Sequence, residues 1–167
     1  MSRERLEGEN VKIRHVVPAT ILIAEDNQDD AFFLERAFSK VGAKVRLHFV
    51  ADGEDAIEYL QGSKGFADRK AFPFPDLLLL DLKMPRLSGF QVIEWVRSNP
   101  GSRHLPIVIL TGTSSPADLK SAYALGADAC LPKPDDANLI PIVERLERDW
   151  LSHFAEQPSF QRKDHPG

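Results

Sequence analysis

Acidic residues follow two apolar runs of the sequence, at positions where buried strands would end. Asp81 comes directly after four consecutive leucines, Leu77–Leu80. Glu25 and Asp26 come directly after the apolar run 20–24. A short apolar run without polar alternation predicts a strand that is buried on both faces. Because the carboxyl ends of parallel strands share one edge of a sheet, we expect the three carboxylates to converge there.

Three clustered carboxylates need a proton or a cation, since like charges about 4 Å apart repel by about 4 kcal/mol at an effective dielectric near 20. Mg2+ suits such a site, because it binds through one or two carboxylates and keeps waters and phosphate oxygens as its other ligands. Thr111 closes the apolar run 106–110, and Lys133 follows the run 127–131. Their hydroxyl and ammonium would face the oxygens of a bound phosphoryl group. These residues therefore predict phosphoryl chemistry at a Mg2+ site.

The elements that must position these residues alternate between strand and helix. Strands are predicted at 20–24, 45–50, 77–80, 106–110 and 127–131, and helices at 27–42, 53–60, 88–97, 116–125 and 139–154. Such alternation predicts an α/β domain with a doubly wound, five-stranded parallel sheet and five helices. In the strand order 2-1-3-4-5, ligands bind where the order reverses, which is the edge that carries the acids.

Composition narrows the class of function. The formal net charge of -4 and the pI near 5.7 argue against nucleic-acid or anionic-lipid partners. The apolar runs are shorter than the roughly 20 residues of a membrane span, and the charged N-terminus has no export signal, so we expect a cytoplasmic protein. We expect one domain at 18–155, preceded by an extension at 1–17 and followed by a loose tail at 156–167.

Four short motifs follow the predicted strands in order: Glu25-Asp26, Asp81 before Met84-Pro85 and Gly89, Thr111-Gly112, and Pro132-Lys133-Pro134. Together they resemble the receiver domain of bacterial two-component response regulators, over about residues 20–154. The resemblance implies the flavodoxin-like receiver fold. It also implies that a histidine kinase transfers a phosphoryl group to this chain.

The resemblance assigns a role to each matching residue. It implies that Asp81 is the phosphoacceptor and that the Lys133–Pro134 peptide bond is cis. The implied Mg2+ ligands are Asp26, Asp81, the backbone carbonyl of Lys83 and, through water, Glu25. The implied phosphoryl-binding and switch groups are Thr111, the backbone N–H of Gly112, and Lys133.

Three further features resemble the small stand-alone regulators that serve bacterial phytochrome kinases. They are the long loop 62–75, the Asp29-Asp30 pair and the C-terminal region with Trp150. The resemblance implies a phytochrome-type sensor kinase as the partner. Asp29-Asp30 has an equally good alternative explanation as helix-start charge that the helix dipole favours.

Position 130 departs from the family pattern. The family usually has Tyr, Phe or His three residues before the site lysine, and this chain has Cys130, its one cysteine. A cysteine is too small to reproduce the inward swing of a ring, and free cysteine often serves simply as a small buried apolar residue. We therefore expect phosphorylation to act through loop movement near Thr111 or through a change in association.

The last predicted helix carries apolar residues beyond what one face of a sheet needs: Trp150, Leu151 and Phe154. Such an apolar overhang often marks an interface, so we predict a homodimer through this helix and the neighbouring strand-five edge. The alternative is that the N-terminal segment, with Val11, Ile13 and Val17, covers this end of the helix.

The expected function is a signalling module that becomes phosphorylated and is not an enzyme acting on a separate substrate. Two other functions are alternatives to it. A Mg2+-dependent phosphohydrolase of haloacid-dehalogenase type also phosphorylates an Asp after a strand. Those enzymes have a second Asp two residues later as general acid, where this chain has Lys83, and a lysine of ordinary pKa does not fill that role readily. The other alternative is a degenerate receiver that acts as an unphosphorylated adaptor.

Overall fold

The computed structural model describes residues 17–155, which form a five-stranded parallel sheet in the order β2-β1-β3-β4-β5. This confirms the predicted doubly wound α/β fold. The strands are β1 (Ala19–Ala24), β2 (Val45–Val50), β3 (Leu77–Leu80), β4 (Ile107–Thr111) and β5 (Ala129–Pro132). The helices are α1 (Gln28–Val41), α2 (Gly53–Gln61), α3 (Gly89–Ser98), α4 (Pro116–Leu125), α5 (Ile140–Leu146) and α6 (Ser152–Ala155).

The four leucines of β3 serve two cores, one on each face of the sheet. Leu77 and Leu79 point to the face covered by α1 and α5, whereas Leu78 and Leu80 point to the face covered by α2 and α3. All four are at most 1% exposed. Each buried leucine side chain contributes about 2 kcal/mol of burial free energy, so β3 is a rigid support for the residue that follows it.

Local signals place the start of α1 and of α3 next to the carboxyl edge. The Asn27 side chain caps α1 by accepting from the Asp30 N–H, and α1 ends at Gly42 in the left-handed conformation. Ser88 and Gln91 form a capping box at the start of α3. Gly89 is required there, because a Cβ would lie 2.3 Å from the Asp81 carbonyl oxygen.

The loop between α2 and β3 is more structured than the sequence predicts. It contains a 3-10 turn, Lys64–Phe66, and its aromatic residues pack against the core rather than facing water. Arg69 donates to the carbonyls of Tyr59, Leu60 and Phe72, which ties the loop to the end of α2.

Other differences from the prediction are small. Strand β5 begins two residues later than expected, and the last predicted helix contains a π-helical turn, Glu147–Leu151, between α5 and α6. The predicted extension at 1–17 and tail at 156–167 lie, apart from Val17, outside the described residues. None of the helices between residues 17 and 155 has the length and apolar character that crossing a membrane requires.

Candidate functional site

The three predicted acids meet at the carboxyl edge of the sheet. β1 and β3 pair in parallel with Ala24 opposite Leu80, so the residues that follow, Glu25 and Asp81, lie side by side. The Asp81 N–H donates to the Ala24 carbonyl at 3.1 Å. One carboxylate oxygen from each of Glu25, Asp26 and Asp81 lies within 4.8 Å of the other two. Glu25 and Asp81 are buried, whereas Asp26 is exposed.

Lys133 reaches into this group from the end of β5. Its backbone N–H donates to the Thr111 carbonyl at 2.9 Å, which fixes the base of the side chain. Its ammonium lies 2.7 Å from Glu25 Oε2, 2.9 Å from Asp30 Oδ2 and 3.1 Å from Asp81 Oδ2. The ammonium therefore pairs with three carboxylates at once, and its contacts with Asp30 and Asp81 are hydrogen bonds.

Burial and charge act in opposite directions on these groups. Burial raises the pKa of Glu25, although hydrogen bonds from Lys133 and from the Asn27 N–H favour its charged form. Burial alone would lower the pKa of Lys133, but hydrogen bonds to Glu25 and Asp30 and the charge of Asp81 raise it overall. The pKa of Glu25 rises because burial outweighs its hydrogen bonds, and the pKa of Lys133 rises because the surrounding carboxylates outweigh its burial.

The group of acids fits a hard divalent cation. Glu25, Asp26 and Asp81 offer only carboxylate oxygens, which are the ligands that Mg2+ prefers. The backbone of Lys83 lies next to these acids, since its N–H donates to Asp81 Oδ1 at 3.4 Å. The backbone carbonyl of Lys83 remains a predicted ligand.

Arg86 anchors the loop that carries Lys83. Arg86 has a positive φ of 65° and pairs with Asp52, the N-cap of α2, and with Asp55 at 3.2 Å. Beside this ion pair, the backbone of Gly53 in α2 lies close to the backbone of Leu87, since a Cβ on Gly53 would lie 2.2 Å from the Leu87 carbonyl oxygen. The loop after Asp81 is therefore packed and paired against the start of α2.

Thr111 is buried at the end of β4 and is linked by hydrogen bonds to α4. Its Oγ1 accepts from the Thr113 N–H at 3.3 Å, and the Thr113 hydroxyl donates to Asp118 Oδ2 at 3.1 Å. The Ser115 N–H donates back to Thr113 Oγ1 at 3.3 Å. Gly112 is exposed on this loop. The loop thus connects the predicted switch threonine to the first turn of α4.

Cys130 is half-buried, and burial raises the pKa of its thiol. A ring from another element lies against it. Tyr123 of α4 accepts a hydrogen bond from the Cys130 N–H at 3.0 Å and is 50% exposed. The sequence carries no signal for Tyr123, because nothing in the helical pattern of α4 shows that its hydroxyl reaches the backbone of β5.

Asp30 is a second site residue without a decisive sequence signal. The sequence suggests helix-start charge or partner recognition; the structure places Asp30 in the first turn of α1 and also pairs it with Lys133. One implied feature is wrong: all peptide bonds among the described residues are trans, including Lys133–Pro134. The trans form is favoured by about 0.5–1 kcal/mol even before proline.

The predicted dimer residues differ in exposure. Leu151 is buried in the core with α1 and α5, so it is not at the surface. Trp150 and Phe154 are half-buried and pack against the same core. Of the three predicted helix residues, Trp150 and Phe154 therefore stay candidates for the interface, together with the neighbouring edge of β5. Val11 and Ile13, which would supply the alternative cover, lie outside the described residues.

The chain is similar to proteins of one known family. Residues 21–144 match the response regulator receiver domain. The crystal structure of the phosphorylated cyanobacterial phytochrome response regulator RcpA has a TM-score of 0.75 at 28% identity, and covers 82% of this chain and 96% of its own.

Two further crystal structures are similar over most of their length. Response regulator RPA3017, in red light signalling of R. palustris, has a TM-score of 0.75 at 36% identity, over 81% of this chain and 94% of its own. The Mn2+-bound form of response regulator Rcp1, a protein of Synechocystis sp., has a TM-score of 0.72 at 28% identity, over 80% and 95%.

Lys133→Met tests the electrostatic arrangement of the site. Because the pKa of Lys133 is raised in the folded protein, the charged ammonium stabilises the folded state fully below the ordinary lysine pKa of 10.5. This stabilisation is lost only as pH rises through the pKa that Lys133 has in the folded protein. At pH 7 without metal, the variant should lose about 2–3 kcal/mol of unfolding free energy, because the acids keep their charge without the ammonium. Urea unfolding in EDTA measures this loss.

The deficit should shrink as pH falls towards 5, since Glu25, whose pKa burial raises, then takes up a proton, and also when Mg2+ is added. Lys120→Met, which removes an exposed lysine of α4, is the matched control and should stay within about 0.5 kcal/mol of the wild type. A Lys133→Met protein with wild-type stability in EDTA and unchanged Mg2+ affinity would contradict the electrostatic account.

Proposed function

Because residues 21–144 match the response regulator receiver domain, the chain belongs to that family, and we propose that it accepts a phosphoryl group on Asp81 from a histidine kinase, with Mg2+. The observation that carries the proposal is the convergence of Glu25, Asp26 and Asp81 at one sheet edge, with the Lys133 ammonium paired to Glu25 and Asp81. Neutralising charge and positioning the reactants is most of what phosphoryl transfer requires.

In the proposed reaction, a carboxylate oxygen of Asp81 attacks the phosphorus of a phosphohistidine. The P–O bond forms, the P–N bond breaks, and the histidine nitrogen leaves with the electron pair. The Lys133 ammonium and the Thr111 hydroxyl bind phosphoryl oxygens, together with the Gly112 N–H. The backbone of Asp81 follows β3, which packs against a core on each face, so the carboxylate nucleophile of Asp81 is held in place.

Asp26, Asp81, the Lys83 carbonyl and, through water, Glu25 would hold the metal. Bound Mg2+ would supply positive charge that offsets the carboxylates and the phosphoryl oxygens. Receiver domains bind Mg2+ or Mn2+ at an acidic pocket, and the Mn2+-bound form of Rcp1 supports the same use here.

The proposed partner is a phytochrome-type histidine kinase in the cytoplasm. Two observations support this choice: RcpA is a phytochrome response regulator, and RPA3017 takes part in red light signalling. Membership of the receiver family disfavours the phosphohydrolase alternative. This chain also has Lys83 at the position where those enzymes have the Asp that acts as general acid. The unphosphorylated adaptor stays open as the alternative, and the phosphorylation experiment separates it from the proposed function.

Asp81→Asn tests the phosphoacceptor directly. Incubation of the wild type with acetyl phosphate and Mg2+ should add the mass of one phosphoryl group, and Asp81→Asn should add none, because an amide oxygen is a poor nucleophile. Intact-mass spectrometry measures the gain. Asp29→Asn, which removes an exposed acid of α1, is the matched control and should be phosphorylated like the wild type.

If the wild type gains no mass with acetyl phosphate or with any histidine kinase of the source organism, the proposed phosphoacceptor function is overturned and the chain is an unphosphorylated adaptor. If Asp81→Asn gains the same mass as the wild type, a different residue accepts the group.

We further propose that α4 transmits the phosphorylated state, in place of a ring at position 130. When the Thr111 hydroxyl turns to a phosphoryl oxygen, the Thr113 N–H loses its acceptor. Thr113 in turn contacts Asp118 and Ser115 at the start of α4. The far end of α4 is tied to the switch position, because the Tyr123 hydroxyl accepts from the Cys130 N–H.

Thr113→Val removes the hydroxyl at nearly constant volume and should uncouple α4 while leaving phosphorylation intact. Backbone amide NMR shifts of residues 115–125 with and without phosphorylation measure the coupling, and the shift changes should fall by about half or more. Ser114→Ala, at an exposed position of the same loop, is the control. Full shift changes in Thr113→Val, or an unaltered response in Cys130→Tyr, would contradict this route.

We also propose a homodimer through the exposed parts of Trp150 and Phe154. Trp150→Ala should raise the dimer dissociation constant about tenfold or more, as removal of a central aromatic anchor does at many interfaces. Analytical ultracentrifugation at micromolar concentration measures it. Trp95→Ala, which changes the tryptophan packed against the other core, controls for loss of folding. A monomeric wild type, phosphorylated or not, would remove the proposal.

A further inference from the structure

Asp30 is an acid at the site that does not belong to the group suited to a metal. The carboxylates that cluster within 4.8 Å of one another are those of Glu25, Asp26 and Asp81. Asp30 instead contacts Lys133, with 2.9 Å between its Oδ2 and the ammonium nitrogen. Lys133 thus has two partners that a metal would also use and one that a metal would not.

The backbone of Asp30 is fixed in a way that suits this contact. It occupies the third position of α1, and its N–H donates to the Asn27 side chain at 3.0 Å. Since α1 begins directly after Glu25 and Asp26, the same short connection determines the position of all three acids. The side chain of Asp30 is 32% exposed, whereas that of Lys133 is 16% exposed, so their pair is partly screened from water.

We propose that Asp30 is a positioning residue that holds the Lys133 ammonium beside Asp81 during phosphoryl transfer. This inference rests on the proposed function. In the described arrangement the Lys133 ammonium already pairs with three carboxylates, so it must weaken one or more of these contacts in order to bind a phosphoryl oxygen. Glu25 and Asp81 are the partners it gives up, and the Asp30 carboxylate keeps the ammonium in place.

Two other roles for Asp30 predict different results. If Asp30 only complements the dipole of α1, then Asp29 beside it should do the same, and both should affect stability rather than phosphorylation. If Asp30 only competes with the phosphoryl group for Lys133, its removal should accelerate phosphorylation. A positioning role predicts that removal slows it.

The test compares Asp30→Asn, Asp30→Glu and Asp29→Asn with the wild type. The rate of phosphorylation is measured against acetyl phosphate concentration at saturating Mg2+, which separates the maximal rate from half-saturation. Asp30→Asn should lower the maximal rate about three- to tenfold, the effect of losing about one ordinary hydrogen bond, because the Asn amide oxygen still accepts from the ammonium but carries no charge. Asp30→Glu should recover part of the rate because it restores a carboxylate, and Asp29→Asn should match the wild type.

Two measurements do not depend on phosphorylation. The Mg2+ dissociation constant, from calorimetry, should change by less than about twofold in Asp30→Asn, because Asp30 lies outside the metal-binding group. The ammonium 1H–15N NMR signal of Lys133 should be observable in the wild type and in Asp30→Glu, and should be lost or shifted in Asp30→Asn, as expected when an ammonium becomes mobile.

The possible failures are distinct. A wild type that cannot be phosphorylated overturns the proposed function and this inference with it. A wild type that is phosphorylated, alongside an Asp30→Asn protein of equal or faster maximal rate, overturns the inference alone. Equal thermal destabilisation of Asp29→Asn and Asp30→Asn with an unchanged rate assigns Asp30 to the helix dipole and also overturns it.

Discussion

The structure depends on one ammonium that lies among more carboxylates than it can neutralise. Glu25, Asp30 and Asp81 contact Lys133 directly, and Asp26 lies within the same group of acids. The burial of Glu25 and Asp81 makes this excess of negative charge costly, which the raised pKa of Glu25 reflects. In the proposed function, the same excess charge would create affinity for a divalent cation and, with it, for a phosphoryl group.

The sheet imposes this arrangement on the acids. Parallel pairing of β1 and β3 places Glu25 and Asp81 side by side, and a change of register by one residue would turn one of these side chains to the other face. The two cores hold β3 from both sides, and Gly89 brings the start of α3 against the Asp81 backbone. Free energy from apolar packing therefore offsets electrostatic repulsion at the sheet edge.

Most of the fold and the main site residues could be predicted, because each has a local cause in the sequence. Leu77–Leu80 mark a strand buried on both faces, and Asn27 marks a helix start, so the place of Asp81 and Asp26 follows from the elements themselves. Asp30 and Tyr123 could not be assigned, since their partners are distant in sequence and depend on how the helices pack. The ordered loop after α2 was missed for the same reason, because Arg69 and Phe72 act through tertiary contacts.

Position 130 shows how a small residue changes the mechanical role of its neighbours. With Cys130 there, the space beside β5 is occupied by Tyr123, a ring carried by a helix. A ring on a strand can swing while the helix stays in place, whereas a ring on α4 moves only with α4 or by breaking its hydrogen bond to the Cys130 N–H. Because Thr113 and Asp118 link the other end of α4 to Thr111, the proposed displacement of the threonine would act on a helix restrained at both ends. Such a helix responds as a unit, so a signal that starts at Thr111 would alter the whole surface of α4 rather than one side chain.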